Sequence, residues 1–171
     1  MQARPYYAFD WGNAHLIVLN SDIGSIGPDK AARDAYWREQ MRWLEDDLKA
    51  SQSAAFRFVF AHHPPLSAIK RRQGENPHMA ALEPIFEKYR VSGAFFGHDH
   101  NYLHYRKNGI QYFVSGGGGA PLYEGDAPPP GITVKAVSTE NFMVIQVNGA
   151  KARVDVLKPN GEILDSAELS N

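Results

Sequence analysis

Two clusters of imidazoles mark this chain: His62-His63 in FVFAHHPPL, residues 58–66, and His98 and His100 in FFGHDHNY, residues 95–102. Each follows directly on a short apolar run, and each run is stopped by prolines or by a glycine. The sequence has no cysteine, so any metal must be held by imidazole, carboxylate or amide oxygen. Neutral imidazoles suit zinc, manganese, iron or nickel. An isolated His-x-His is ordinarily a solvated loop; here the placement of both clusters at strand ends shifts the reading to metal. If the two strands are neighbours, His62 converges with His98 and His100. Gly97 is expected to supply the tight turn that lets both side chains of the His-x-His serve one cluster. His63 is expected either to meet a bound anion or to pack beside a ligand. His15 and His78 read as ordinary positions, and His104 as a surface residue of the following strand.

The elements that must position these groups can be read from apolar spacing. Tyr6 to Phe9 and His15 to Asn20 form a hairpin around Asp10-Trp11-Gly12-Asn13. Trp37, Met41, Leu44 and Leu48 draw one stripe down a helix from Lys30 to Ala50, which Tyr36 and Trp43 widen. Phe56 to Ala61 is a largely buried strand ended by Pro64-Pro65. A second helix starts at Asn76-Pro77, carries Met79, Leu82, Phe86 and Tyr89 on one face, and is bent or restarted by Pro84. It leads into the run Gly93 to Phe96. Each imidazole cluster thus ends a strand fed by a helix, and such strand exits collect in one place in a sheet. The remainder is β-rich, with strands predicted over Leu103 to Lys107, Ile110 to Ser115, Ile132 to Ser138, Phe142 to Val147 and Ala152 to Lys158. Asn108-Gly109, Asn148-Gly149 and Asn160-Gly161 mark the hairpins. The fold class is α/β (α+β).

Composition bounds the rest. A chain of 171 residues with 43% hydrophobic content can bury one core, and one domain is the default. A formal charge of −1 gives no basic surplus for nucleic acid or an anionic membrane. No apolar run approaches the roughly 20 residues needed to span a bilayer. The run Ser115 to Pro121, SGGGGAP, lacks the Lys-Ser or Lys-Thr helix start of a phosphate-binding P-loop, so close backbone packing is its expected role.

The His-His-Pro and Gly-His-x-His segments, in this order, resemble those of the calcineurin-like metallophosphoesterases, particularly the purple-acid-phosphatase-like members. The resemblance extends over YYAFDWGNAHLIVLNSD, QMRWLEDDLKAS, LEPIFEKYRVSGAFFGHDHNY, NGIQYFVSGGGGAPLY and NGAKARVDVLKPNGE. It implies a two-sheet β-sandwich flanked by helices. It also implies hydrolysis of phosphate mono- or diesters at a dinuclear centre of manganese, iron or zinc. By motif, His62 and His98 would be ligands of one ion and His100 a ligand of its neighbour, while Asp99 and Asn101 would fix the loop or orient the histidines. The family's Asp-x-His, bridging Gly-Asp and Gly-Asn-His motifs are missing; Gly12-Asn13-Ala14-His15 imitates the last but carries an intervening alanine. Residues 1–171 are therefore expected to be the C-terminal part of a single such domain, with the general acid upstream and weak or single-ion binding by this chain alone. A sheet without its facing layer should expose an apolar surface and call for a homodimer or a complementing chain. Two other readings are a non-catalytic metal-binding or interaction remnant and, remotely, a cupin, whose His-x-His wants a nearby glutamate where this chain has His104.

Overall fold

The computed structural model describes residues 5–170. The first hairpin joins β1 (Tyr7–Trp11) to β2 (Ala14–Val18) antiparallel. Its turn is only Gly12-Asn13, with Gly12 in the left-handed region at φ 60°, so β1 runs two residues beyond the Phe9 that the sequence predicts as its end. Helix α1 (Lys30–Ala50) is capped by Asp29, whose side chain accepts from the Ala31 N–H, and it buries Trp37, Leu44 and Leu48. Gln40 is also fully buried, which an apolar stripe does not reveal. Its amide clamps the exit of β2, accepting from Asn20 N at 2.8 Å and donating to Asn20 O at 3.0 Å.

Strand β3 (Phe56–Ala61) is followed, after two 3-10 turns over Lys70–Arg72 and Pro77–Ala81, by helix α2 (Leu82–Lys88) and β4 (Gly93–Phe96). The helix expected from Pro77, bent or restarted at Pro84, is a 3-10 turn followed by a fresh helix that starts at Leu82, two residues before that proline. Pro84 falls in the first turn of α2, where its missing N–H costs no hydrogen bond. Arg57, buried on β3, donates to the carbonyls of Tyr89 and Arg90 at the end of α2 and to that of Ala54. That contact locks the helix exit beside the strand that β4 must join.

Strands β5 (Tyr102–Lys107), β6 (Ile110–Ser115) and β7 (Thr133–Val137) complete a seven-stranded sheet of order β1-β2-β3-β4-β6-β5-β7, in which β2, β3, β4 and β6 run parallel. A second sheet, β10-β9-β8, consists of β8 (Phe142–Asn148), β9 (Lys151–Leu157) and β10 (Ile163–Leu169). The register of β10 shifts between Ile163 and Asp165, so both Leu164 and Asp165 turn inward. That bulge breaks the alternation by which a sequence announces a strand, so the apolar pattern does not mark β10.

Alternation divides the large sheet cleanly. Ile17, Val59, Ala94, Phe96, Leu103, Tyr112 and Val114 face the helices, and Phe56, Phe58, Phe95, Tyr102 and Phe113 face the small sheet through Val154, Val156 and Leu169. The layers are tied by a polar knot. Asp165 accepts from the Tyr102 hydroxyl at 2.7 Å and from His104 Nδ1 at 2.8 Å, while His104 Nε2 faces Gln111 Oε1 at 2.8 Å. His104 is only 2% exposed, not a surface residue, because β5 lies inside the sheet with β10 above it.

The expectation of an uncovered sheet is corrected in part. The chain's own late strands supply the facing layer over β3 to β7, yet the β1–β2 end of that face stays bare. Tyr7, Phe9 and Trp11 are exposed there, Trp11 by 79%, beside a trench walled by Leu16, Phe58, Ile145 and Val147.

At the opposite end of β2 from the imidazole clusters, His15 is held between Asp10 and Asp47, 2.7 Å from each. Burial opposes its charge, but the bonds to Asp47 and Asp10 outweigh it and raise its pKa above the ordinary value. A raised folded-state pKa stabilises fully below the unfolded value of about 6.5 and is lost as pH rises through the folded value. Urea unfolding followed from about pH 6 upward should therefore show a stability decline that is absent in His15→Gln; equal pH slopes in both proteins would refute this role.

Candidate metal centre

The site follows from one register. Parallel pairing of β3 with β4 sets Ala61 beside Phe96, so His62 emerges opposite Gly97 and the Gly97 N–H donates to the His62 carbonyl at 3.0 Å. His98 comes one residue later, and its Nδ1 lies 3.2 Å from His62 Nε2. His63 joins them: one nitrogen from each of His62, His63 and His98 falls within 4.8 Å of the others, the one such group of three found among the described residues.

The turn is built differently from the sequence expectation. Gly97 has an ordinary φ, and a Cβ there would make only a normal contact, 3.6 Å from His62 Nδ1. It is His98 itself that takes the left-handed conformation, at φ 65°. Such a backbone costs a non-glycine residue about 1–3 kcal/mol and persists where the surroundings impose it. They do so here. The Asp99 N–H donates to the Gly97 carbonyl and the Asn101 N–H to the Asp99 carbonyl, each at 2.7 Å, and Gly116 N donates to Asn101 O. Gly116 passes so close beneath that a Cβ would lie 1.9 Å from the Asp99 carbonyl oxygen; one on Gly117 would lie 2.4 Å from that of Thr139. The glycine run is a packing device at these two positions, as its sequence context implies, while Gly118 and Gly119 face open space.

Neighbouring side chains set the orientation of each ring. Ser21 is buried and bonds His63 twice, Oγ to Nδ1 and backbone N to Oγ, both at 2.9 Å, which leaves Nε2 to face the cluster. Behind Ser21, His78 Nε2 donates to its carbonyl and stands edge-on to Trp37. Burial, reinforced by the neighbouring His98 and His62, pushes the His63 pKa down to about 4, and burial likewise lowers that of His62. Both rings are neutral at neutral pH, with a lone pair to offer a metal.

His100 stands apart from this group. Its Nδ1 donates to the Pro121 carbonyl at 2.9 Å and its ring stacks on Tyr123 at 4.4 Å, so the lone pair is on Nε2. Asp99 is buried; Ser67 Oγ donates to its Oδ2 at 2.5 Å, and Oδ1 lies 3.6 Å from Arg72 Nε. Burial raises the Asp99 pKa, with Ser67 and Arg72 acting against it. Asn101 supports the loop through its backbone; its fully buried amide has no hydrogen-bond partner. The sequence reading missed Ser21, Arg72 and Glu75, of which Arg72 ends a 3-10 turn and the other two lie on loops, all outside any motif. The only prior signal was that NSD ends a strand, where site residues gather.

A parallel-centred sheet covered by helices on one face and an antiparallel sheet on the other, with histidines at the strand exits, is the calcineurin-like metallophosphoesterase fold. Two solved structures share it. The purple acid phosphatase PPD1 from yellow lupin (Lupinus luteus) superposes with a TM-score of 0.78 at 20% identity over 96% of this chain and 32% of its own. GAP50, described as the anchor in the inner membrane complex of Plasmodium, gives 0.75 at 18% identity over 96% and 53%. In sequence, tartrate-resistant acid phosphatase type 5 of Oryctolagus cuniculus is 30% identical over 100 residues, which is 58% of this chain and 30% of that protein. This chain spans about half or less of each of these proteins. No family model matches it.

Gly116→Ala should cost about 1–3 kcal/mol by overpacking against the Asp99 carbonyl and should weaken metal retention, whereas Gly118→Ala, in open space, should leave both unchanged. Thermal unfolding and metal content measured on the two variants check the contrast.

Proposed function

We propose that this chain carries the His62 and Gly-His-Asp-His part of the metal centre of a phosphate-ester hydrolase, and that residues 1–171 form the C-terminal part of one such domain. The convergence of His62 and His98 at 3.2 Å, at the exits of paired parallel strands, carries the reading. The likeness to acid phosphatases in sequence and fold supports it.

The donor set fits a borderline metal ion. His62 and His98 would hold one ion and His100, through Nε2, a neighbouring one; manganese, iron and zinc suit such nitrogen ligands. A metal there supplies Lewis-acid charge for a phosphoryl oxygen and for the departing oxygen. His63 would meet the phosphate anion in the tautomer whose Nδ1 accepts from the Ser21 hydroxyl, so that Nε2–H faces the cluster as a donor. Three neutral imidazoles with no bridging carboxylate among them leave the charge of two ions uncompensated, so the second ion is held weakly. The general acid is to be sought outside the groups described.

Metal analysis of the purified chain, dialysed against zinc or manganese, should find about one equivalent or less, lost in His98→Ala. Retention undiminished by that substitution would overturn the reading. Hydrolysis of p-nitrophenyl phosphate that follows the ion through chelation and reloading would support the hydrolase. Metal binding with no hydrolysis would favour a second reading, a non-catalytic interaction protein. The bare face at Tyr7, Phe9 and Trp11 favours that alternative, as does a fold neighbour described as an anchor.

A further inference from the structure

We propose that Glu75 is a positioning residue for His98, and that Arg72 competes with it for the same ring nitrogen. The inference rests on the metal reading of His62 and His98. His98 Nδ1 faces His62, and its Nε2 faces two groups of opposite character: Glu75 Oε2 at 3.5 Å and, in direct contact, Arg72 Nη1. A carboxylate only accepts and a guanidinium only donates. Contact with Glu75 therefore puts the ring proton on Nε2 and leaves the Nδ1 lone pair aimed at His62 and a shared ion. Contact with Arg72 requires the lone pair on Nε2 and puts the proton on Nδ1, where it blocks the ion. A neutral ring satisfies one of them at a time, so the partner chosen decides whether His98 is a ligand.

The surroundings give Arg72 somewhere else to go. Its Nε and Asp99 Oδ1 are both buried without a hydrogen-bond partner, 3.6 Å apart. Closing that gap satisfies two orphaned groups at once and draws the guanidinium from His98. The Tyr123 ring, 5.2 Å beneath the guanidinium carbon, supports it in either place. Glu75 pairs with Arg72 at 3.0 Å, and its side chain is 46% exposed at the rim, free to turn toward Nε2. A carboxylate on the outer nitrogen of a ligating histidine fixes its tautomer and typically strengthens metal binding 10- to 100-fold.

The test uses the whole chain in wild-type, Glu75→Ala, Arg72→Met and His98→Ala forms. Zinc titration gives affinity, and long-range proton–nitrogen NMR of the zinc-free protein reads the His98 tautomer. Glu75→Ala should bind zinc roughly 10- to 100-fold more weakly and shift His98 toward the Nδ1–H form. Arg72→Met should bind at least as tightly as wild type and shift toward Nε2–H. Thermal unfolding of the zinc-free Glu75→Ala protein should match wild type, since the side chain lies at the rim. Wild-type affinity and tautomer in Glu75→Ala would overturn the proposal while leaving the metal reading intact, and equal weakening in Arg72→Met would overturn the competition. Zinc bound as tightly by His98→Ala as by wild type would instead overturn the metal reading itself.

Discussion

The site depends on the parallel pairing of β3 with β4. Setting Ala61 beside Phe96 brings two stretches separated by some thirty residues out of the sheet at one level, and the histidines that follow have nowhere to go but toward each other. A shift of one residue would turn every side chain of one strand to the opposite layer. Phe58, Phe60 and Phe95 would then meet helices instead of the small sheet, and the buried apolar surface on both faces forbids that. The core thus sets the register, and the register sets the site. Arg57 adds a polar lock by tying the exit of α2 to β3, and Gln40 does the same for the exit of β2, from which Ser21 reaches His63.

Beyond the strand ends the backbone is strained and heavily supported. His98 adopts a conformation that an isolated chain avoids, and the tight turn closed around it, the one around His100, the Ser67–Asp99 bond and the passage of Gly116 beneath Asp99 together impose it. The strain has a use. A left-handed residue between strand and loop turns the His98 ring across the exit of β3, where an extended residue would point up or down the sheet. Asp99, buried one residue later, serves both the loop and the guanidinium of Arg72, so the charge at the rim and the shape of the turn rest on one carboxylate.

The two sheets tell a related story about completeness. Among the described residues, ten strands make a sandwich whose inner faces meet over β3 to β7 and whose β1–β2 end is left apolar and open. A trench of about 710 Å³ runs from Phe142, Met143 and Ile145 past Phe60 and Phe95 to His62, and Ile145 also walls the separate trench beside Phe9 and Trp11.

Much of this was legible in the sequence, and the reason is physical. Helix α1, strands β3 and β6 and the hairpin turns are local matters of period, capping and Asn-Gly chemistry, and they fall where the residues say. The strand-end placement of His62, His98 and His100 could likewise be read from two apolar runs and their stops. Tertiary structure decided what depends on partners distant in the chain. It buried His104 under β10, hid β10 itself behind a bulge, and moved the turn strain from Gly97 to His98. It also brought Ser21, Arg72 and Glu75 to the rings and separated His100 from the other three histidines. Residue types told which groups could bind a metal; the packing of two sheets and a loop decided which of them stand close enough to share one.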